Sequence, residues 1–348
     1  MTERPNIRDL SLEEIESCIA TLGKERYRAR QILKCLYQGN ATSFAEMTTL
    51  AREFRDRLEG LFRIAEPRLE RCLTAADGTK KLLFALEDGL TVESVLIPGK
   101  NHWTACISTQ AGCAMGCRFC LTGRGGFKRN LRPSEIVGQM TMLRRHTPEG
   151  PNTKNIVMMG MGEPLANYDA VVQAIRLLTS DHGLGHSNRK ITVSTCGLAP
   201  QIVQLGKEIC VNLAISLNAP DDKRRSELMP INRTYPLPEL LAACHSYPMP
   251  GRRMLTFEYI LMAGINDAPA DAEQVARLLK GLHCKLNLIP FNEFPGSAFR
   301  TPAPEAISAF QQVLLDRNYT AILRASHGRD ILAACGQLSG AAAATEKR

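Results

Sequence analysis

The sequence predicts an α/β protein, a partial (β/α)6 barrel of parallel strands with a small helical N-terminal domain and a β-hairpin extension. Three observations predict it. From about residue 105, short apolar runs alternate with helical stretches, the pattern of parallel strands joined by right-handed crossovers. The first 65 or so residues carry apolar side chains at helical spacing. Between these two regions, apolar runs flank Asp88-Gly89, a hairpin turn signal.

In chain order, Ser11 with Glu14 fits a capping box, and Leu12, Ile15, Ile19 and Leu22 continue at helical spacing. Ala29, Ile32, Leu33 and Leu36 predict a second helix. The hairpin pairs Lys81 to Leu86 with Leu90 to Ile97. In its second strand Thr91, Glu93, Val95 and Ile97 share a face, and the ordinary reading of Glu93 is an exposed residue on an edge strand. The barrel strands are expected at Ala105 to Ser108, Asn155 to Met159, Lys190 to Ser194, Val211 to Leu217, Leu255 to Leu261 and Lys285 to Pro290, with a last one near Thr320 to Arg324. Helices should begin near Pro133, Tyr168, Pro200, Pro238 and Asp271, and another should run through Ala306 to Leu315. The expected organisation is therefore a helical domain over 1–65, a hairpin connector over 66–100, the barrel over 101–338 and a loose tail over 339–348.

Composition narrows the classes. A chain of 348 residues buries roughly three quarters of its unfolded surface and needs no disulfide framework. With 44% apolar and 22% charged residues it is neither disordered nor fibrous. It has no apolar run of membrane-spanning length and no signal-peptide core, so a cytoplasmic protein with no membrane contact is expected. In that reducing compartment the 12 cysteines should mostly be thiols, some of them metal ligands or redox-active. Between Ala111 and Pro148 seven basic residues face one acid, Glu135, which points to an anionic partner such as RNA or to a solvated basic face. Aromatics, at 5%, are too scarce for a binder that works only by stacking bases.

The unusual motifs lie just after the predicted strands: Cys113, Cys117 and Cys120, then Gly160 to Pro164, Ser194 to Gly197, Ser216 to Asn218, and Phe291-Asn292. In a parallel barrel those ends share the rim that carries active sites. Cys-x-x-x-Cys-x-x-Cys can hold three irons of a cubane cluster and leave the fourth open to a substrate. Structural zinc wants four protein ligands, and no second Cys-x-x-Cys or paired His stands at finger spacing.

On these residues the sequence resembles the radical S-adenosylmethionine (SAM) superfamily. Over nearly the whole chain it is similar to the RlmN and Cfr family of RNA adenine methyltransferases. The likeness runs through Val92 to Val95, Ser108 to Cys113, Gly160 to Pro164, Ser194-Thr195, Ser216-Leu217, Pro230 to Asn232 and Ala333 to Leu338.

The resemblance implies a 4Fe-4S cluster on Cys113, Cys117 and Cys120 whose open iron chelates SAM. Gly162, Glu163, Ser194, Ser216, Leu217, Asn218 and Asn292 match the other cofactor contacts; relatives often have His at the Asn218 position, so a backbone contact is expected there. It implies that Cys335 carries the methyl group. One SAM methylates its thiolate, and a second supplies the 5'-deoxyadenosyl radical that takes a hydrogen from the S-methyl group. Cys106 matches the partner that resolves the protein-RNA adduct through a transient disulfide with Cys335, and Glu93 matches a proton acceptor. The implied substrates are an adenosine of 23S rRNA and an anticodon-adjacent adenosine of tRNAs, reached by a monomer fed electrons by a donor such as flavodoxin or ferredoxin. Pro164 after Glu163 follows the carbon-2 branch, where Cfr-like chains tend to have Ala and modify carbon 8. The rival from another class is a non-catalytic, metal-containing RNA-binding protein.

Overall fold

In the computed structural model, which describes residues 4–145 and 153–340, the predicted capping box forms. The Ser11 hydroxyl accepts from the Glu14 N–H at 3.1 Å, and the Glu14 carboxylate accepts from the Ser11 N–H at 2.7 Å. It starts helix α1 (Leu12–Thr21), followed by α2 (Tyr27–Tyr37) and α3 (Arg52–Leu61). Their apolar faces meet through Ile15, Ile19, Ile32, Leu33, Phe54 and Leu58, all buried, each burial stabilising by about 2 kcal/mol.

The hairpin is a three-stranded meander. Strand β1 (Arg68–Thr74) pairs antiparallel with β2 (Lys80–Ala85), which pairs with β3 (Thr91–Pro98) around the Asp88-Gly89 turn. The sequence reading lacked β1, whose alternating Arg68, Glu70 and Cys72 are largely solvent-facing and give little apolar signal. β3 also pairs antiparallel with the first barrel strand, β4 (Trp103–Cys106), so it is an interior strand, and the expectation of an exposed edge Glu93 is corrected: Glu93 is buried.

A small ribbon joins β5 (Gln110–Gly112) to β6 (Phe127–Asn130), with the one-turn helix α4 (Leu121–Arg124) between them. Helix α5 (Pro133–Arg145) leads to strand β7 (Thr153–Met158). The alternation continues with α6 (Tyr168–Thr179), β8 (Ile191–Thr195), α7 (Ala199–Glu208), β9 (Asn212–Ser216), α8 (Asp222–Leu228) and α9 (Leu237–Ser246). It ends with β10 (Leu255–Leu261), α10 (Pro269–Leu278), β11 (Cys284–Pro290), α11 (Pro304–Asp316) and β12 (Thr320–Leu323). The ten-stranded sheet runs β1-β2-β3-β4-β7-β8-β9-β10-β11-β12, and every neighbouring pair from β4 to β12 is parallel. This is the partial barrel, with six helical crossovers. Among the described residues no helix is long and apolar enough to cross a membrane.

The sheet does not close on itself, because β12 and β1 are its two edges. The chain after β12 bridges back to the meander. Asp77 accepts from the Gly328 N–H at 3.1 Å and pairs with His327, and Asp330 accepts from the Ala76 N–H at 3.0 Å. Residues 324–340 are therefore a strap. Ser339 and Gly340, expected in a loose tail, are corrected: both donate backbone N–H groups to Glu93. The rest of that tail, 341–348, lies outside the described residues.

Candidate active site

The loops after β4 and β7 are tied to each other by the motif residues. The Ser108 hydroxyl accepts from the Met161 N–H at 2.7 Å and donates to the Glu93 carbonyl at 2.6 Å. Gln110 Oε1 accepts from the Glu163 N–H at 2.8 Å. Gly162 has φ +101°, and a Cβ there would lie 2.5 Å from Gln110 Cβ, so only glycine fits. The cysteine loop is anchored to the strap, where the Leu121 N–H donates to the Gly336 carbonyl at 2.7 Å and the Thr122 hydroxyl donates to the Leu338 carbonyl at 2.6 Å.

A cavity of about 140 Å³ lies within these loops, and Cys113, Cys117, Cys120, Glu163 and Cys335 line it. Gly162, Ser194, Ser216 and Asn218 complete its wall at the strand ends, as their motifs predict. Glu163 is buried. Its carboxylate accepts the Leu165 N–H at 3.1 Å and the Cys196 N–H at 2.8 Å, while burial pushes its carboxyl up from the ordinary value. Asn218 has a left-handed φ of 58°. Its side chain accepts the Ile260 N–H at 2.8 Å and its carbonyl accepts Asn266 Nδ2, so both groups already serve the fold.

Leu217 is fully buried and lines neither this cavity nor the larger one below; its carbonyl accepts Arg225 Nε at 3.1 Å. Arg225 is a residue the sequence reading missed. Fully buried, it also binds the carbonyls of Cys196 at 2.7 Å and Ser216 at 3.0 Å and the Asn232 side chain at 2.8 Å, locking the ends of β8 and β9 together. An Arg followed seven residues later by Asn within the motif Pro230-Ile231-Asn232 was the available signal.

The three cysteines fit a cluster rather than a single ion. Among the described residues no three His, Cys, Asp or Glu side chains are placed to hold one metal ion, whereas a cubane spreads its sulfurs over separate irons. Burial raises the Cys113 thiol to about 12 and Cys117 higher, so each is inert until a metal takes up its thiolate. A fifth cysteine, Cys196, also lines the cavity. Its thiol donates to Glu163, and burial together with that carboxylate holds it protonated. Cys113, Cys117 and Cys120 thus remain as candidate ligands, with Cys335 of the strap lining the same cavity.

A second cavity of about 360 Å³ occupies the barrel interior and shares Met159, Glu258, Ile289 and Cys335 with the first. Cys106, at the end of β4, and Cys335, on the strap, both line it, as does Asn292. Cys106 and Cys335 are thus brought to one space, with every described cysteine a free thiol. Cys335 is solvent-exposed on the strap, while the protein packed around its sulfur pushes its thiol up to about 12. Asn292 Nδ2 donates to the Cys335 carbonyl at 3.3 Å, while its Oδ1 is buried without a partner, an acceptor left for something the cavity holds.

Glu93 lines neither cavity. Its carboxylate pairs with Lys81 Nζ at 3.0 Å and accepts the Ser339 and Gly340 N–H groups at 2.8 and 3.1 Å. Lys81 also donates to the Leu332 carbonyl at 3.2 Å. The pair thus grips the strap on both sides of Cys335.

Two expectations about charge and polarity change. Much of the basic segment after the cysteines is neutralised within the fold: Arg129 pairs with Asp88 and Glu135, Arg132 with Glu87, and Arg145 with Glu66. The barrel interior is polar, because Asn155, Thr192, Asn212, Thr256 and Asn287 all face the large cavity. The signal was a polar residue at every second position of runs read as apolar, as in Ile191-Thr192-Val193-Ser194. Glu258, also missed, sits among them between the two cavities; burial raises its carboxyl, opposed by the Asn287 hydrogen bond and Arg324.

Comparison with known proteins agrees with this geometry. Residues 107–279 match the Radical SAM superfamily, and residues 5–64 match the Ribosomal RNA large subunit methyltransferase N-terminal domain. The chain is 66% identical to the dual-specificity RNA methyltransferase RlmN of Syntrophus aciditrophicus, over 97% of each chain. It is 53% identical to the protein of the same description from Geobacter sulfurreducens, over 96% of this chain and 92% of that one. A radical SAM methyltransferase from Sphaerobacter thermophilus superposes with a TM-score of 0.91 at 44% identity, covering 97% of this chain and all of the other.

Proposed function

The chain belongs to the RlmN family of radical SAM RNA methyltransferases, and on that premise we propose that it methylates carbon 2 of an adenosine in 23S rRNA and of an anticodon-adjacent adenosine in tRNAs. The observation that carries the proposal is that Cys106 and Cys335 line one cavity and that Cys335 also lines the cavity of the three clustered cysteines.

Cys113, Cys117 and Cys120 would hold a 4Fe-4S cluster, and Gly162, Glu163, Ser194, Ser216, Asn218 and Asn292 would hold SAM. Bound there, the two supply the methyl group and the one-electron chemistry, with two SAM molecules consumed per turnover and electrons delivered by a donor such as flavodoxin or ferredoxin. Cys335 is the methyl carrier. Its thiol must first lose a proton, a step that the Arg324 cation favours and the Glu258 carboxylate resists. Cys106, buried and facing the same space, takes the ring proton of the protein-RNA adduct at Sγ as a thiolate; it returns that proton to the methylene carbon as its sulfur attacks Cys335 Sγ, so that the bond from Cys335 sulfur to the methylene breaks, the disulfide forms and the methylated base leaves. The adenine must leave its stack to reach this pair, at a cost of a few kcal/mol. Glu93 holds the strap in this arrangement and acts as a positioning residue. The enzyme works as a monomer, and Pro164 supports carbon 2 over carbon 8.

The test is mass spectrometry of RNA treated with the anaerobically reconstituted enzyme. One methyl on adenine carbon 2 is expected, and Cys106→Ala should accumulate a covalent RNA adduct on Cys335. A methyl on carbon 8 would move the chain to the Cfr-like chemistry. Release of methylated RNA by Cys106→Ala at the wild-type rate would remove Cys106 from the mechanism.

A further inference from the structure

The large cavity has two ends of different character. Its deep end carries Cys106, Cys335 and Asn292, level with the C-terminal ends of the parallel strands. Its other end lies where those strands begin. There the lining residues are Arg189 and Lys190 before β8 and Lys285 at the start of β11, whereas Arg324, after β12, lies level with Ile289 towards the cysteines. Arg189 and Lys190 are exposed, so the cavity opens to solvent at this end. From Lys285 to Ile289 the wall rises by four strand residues, about 13 Å.

The charge is one-sided. Among the described residues Arg189, Lys190 and Lys285 take part in no ion pair, in contrast to Arg129, Arg132 and Arg145 after the clustered cysteines. The only carboxylate among the lining residues is Glu258, deeper in the barrel. Between mouth and cysteines stand the amides of Asn155, Asn212 and Asn287, which can both donate to and accept from base edges and a ribose hydroxyl. An anion at the entrance and a neutral, hydrogen-bonding group inside is the chemistry of one nucleotide turned out of its strand.

We propose that Arg189, Lys190 and Lys285 form the RNA entrance: they hold the phosphates that flank the target adenosine while its base passes along the polar barrel interior to Cys335. This rests on the RNA methyltransferase reading above, and moves the phosphate contacts from the basic segment after the cysteines to the opposite end of the barrel.

The test uses a fluorescent tRNA anticodon stem-loop with an adenosine beside the anticodon, and full-length protein. Binding is followed by anisotropy from about 50 to 200 mM salt. The triple variant Arg189→Ser/Lys190→Ser/Lys285→Ser should bind at least about tenfold more weakly, with its log-log salt slope shallower by about two, the share of three contacts to a single strand. The charge-keeping variant Arg189→Lys/Lys190→Arg/Lys285→Arg should restore the slope, which excludes misfolding as the cause. An unchanged slope in the serine variant, or an equal fall on replacing Arg124, Lys128 and Arg132 instead, overturns the entrance while leaving the RNA reading intact. Wild-type protein that neither binds nor methylates the stem-loop overturns both.

Discussion

Replacing Lys81 by Met should free the segment that carries Cys335. The ion pair with Glu93 is 3.0 Å long between side chains only 7% and 2% exposed, so water cannot take over as partner. Removing one member of such a pair costs about 3–5 kcal/mol. Glu93 keeps the Ser339 and Gly340 N–H groups, which offsets part of this, while the Leu332 carbonyl loses its donor. A net loss of about 3 kcal/mol is expected, felt where the pair holds the strap. At 1.4 kcal/mol per factor of ten, that is roughly a hundredfold faster amide exchange over residues 332–340. Hydrogen exchange read by mass spectrometry measures it, with helix α2 as the internal reference, because it packs in the N-terminal core away from the strap. Alkylation of Cys335 should accelerate with the exchange, and Lys81→Arg should recover most of the protection. The reasoning fails if the strap exchanges less than about threefold faster, or if α2 and the strap change together, since the pair would then support the whole fold rather than the strap.

Four further outcomes follow from the site. Iron should be lost from Cys113→Ala and retained by Cys196→Ser, because the Cys196 thiol is held by Glu163; iron analysis of anaerobically purified protein decides between them, and loss from both would make Cys196 a fourth ligand. Iodoacetamide should alkylate Cys335 at a rate that climbs about tenfold per pH unit through pH 10 without levelling, since its thiol is pushed up to about 12, whereas the unfolded chain levels off above about 8.5; a native plateau near 8.5 would refute the burial argument. The same shift makes Cys335 stabilise the metal-free fold fully below the unfolded value and lose that contribution as pH rises toward 12, a fall that thermal melts above pH 8.5 should show. Gly162→Ala, with φ +101° and its new Cβ 2.5 Å from Gln110, should cost about 2–4 kcal/mol and abolish SAM retention in equilibrium dialysis; normal SAM binding would show that the loop can move aside.

What was legible in the sequence was whatever short-range pattern determines. Ser11 and Glu14 are three residues apart and cap their helix as read. The motifs after the strands converge because a parallel sheet puts all such ends on one rim. What was not legible depends on partners far away in the chain. Glu93 looked like an edge residue because nothing near it announces that β4 will pair outside β3, or that Ser339, 246 residues later, will donate to it. The basic segment looked like an RNA face because its counter-charges, Asp88, Glu87 and Glu66, come from the preceding meander and linker. Lys190, Asn212 and Lys285 look unremarkable in three separate runs, and only the barrel puts them on one opening.

The open sheet gives these distant contacts a common cause. A closed eight-stranded barrel fills its interior with side chains, but this one stops at β12 and leaves its polar interior empty enough for a nucleotide. The strap crosses the resulting gap, and Cys335 sits midway along it, between anchors at Asp77 and Glu93. A thiol placed on a barrel strand would be fixed against one partner. On a strap held by a few polar contacts it faces both the clustered cysteines and Cys106. On the proposed chemistry Cys335 accepts a group at one cavity and surrenders it in the other, and hydrogen bonds with Asp77, Lys81 and Glu93, together with the buried side chains of Ala333, Ala334 and Leu338, locate the strap that carries it between the two.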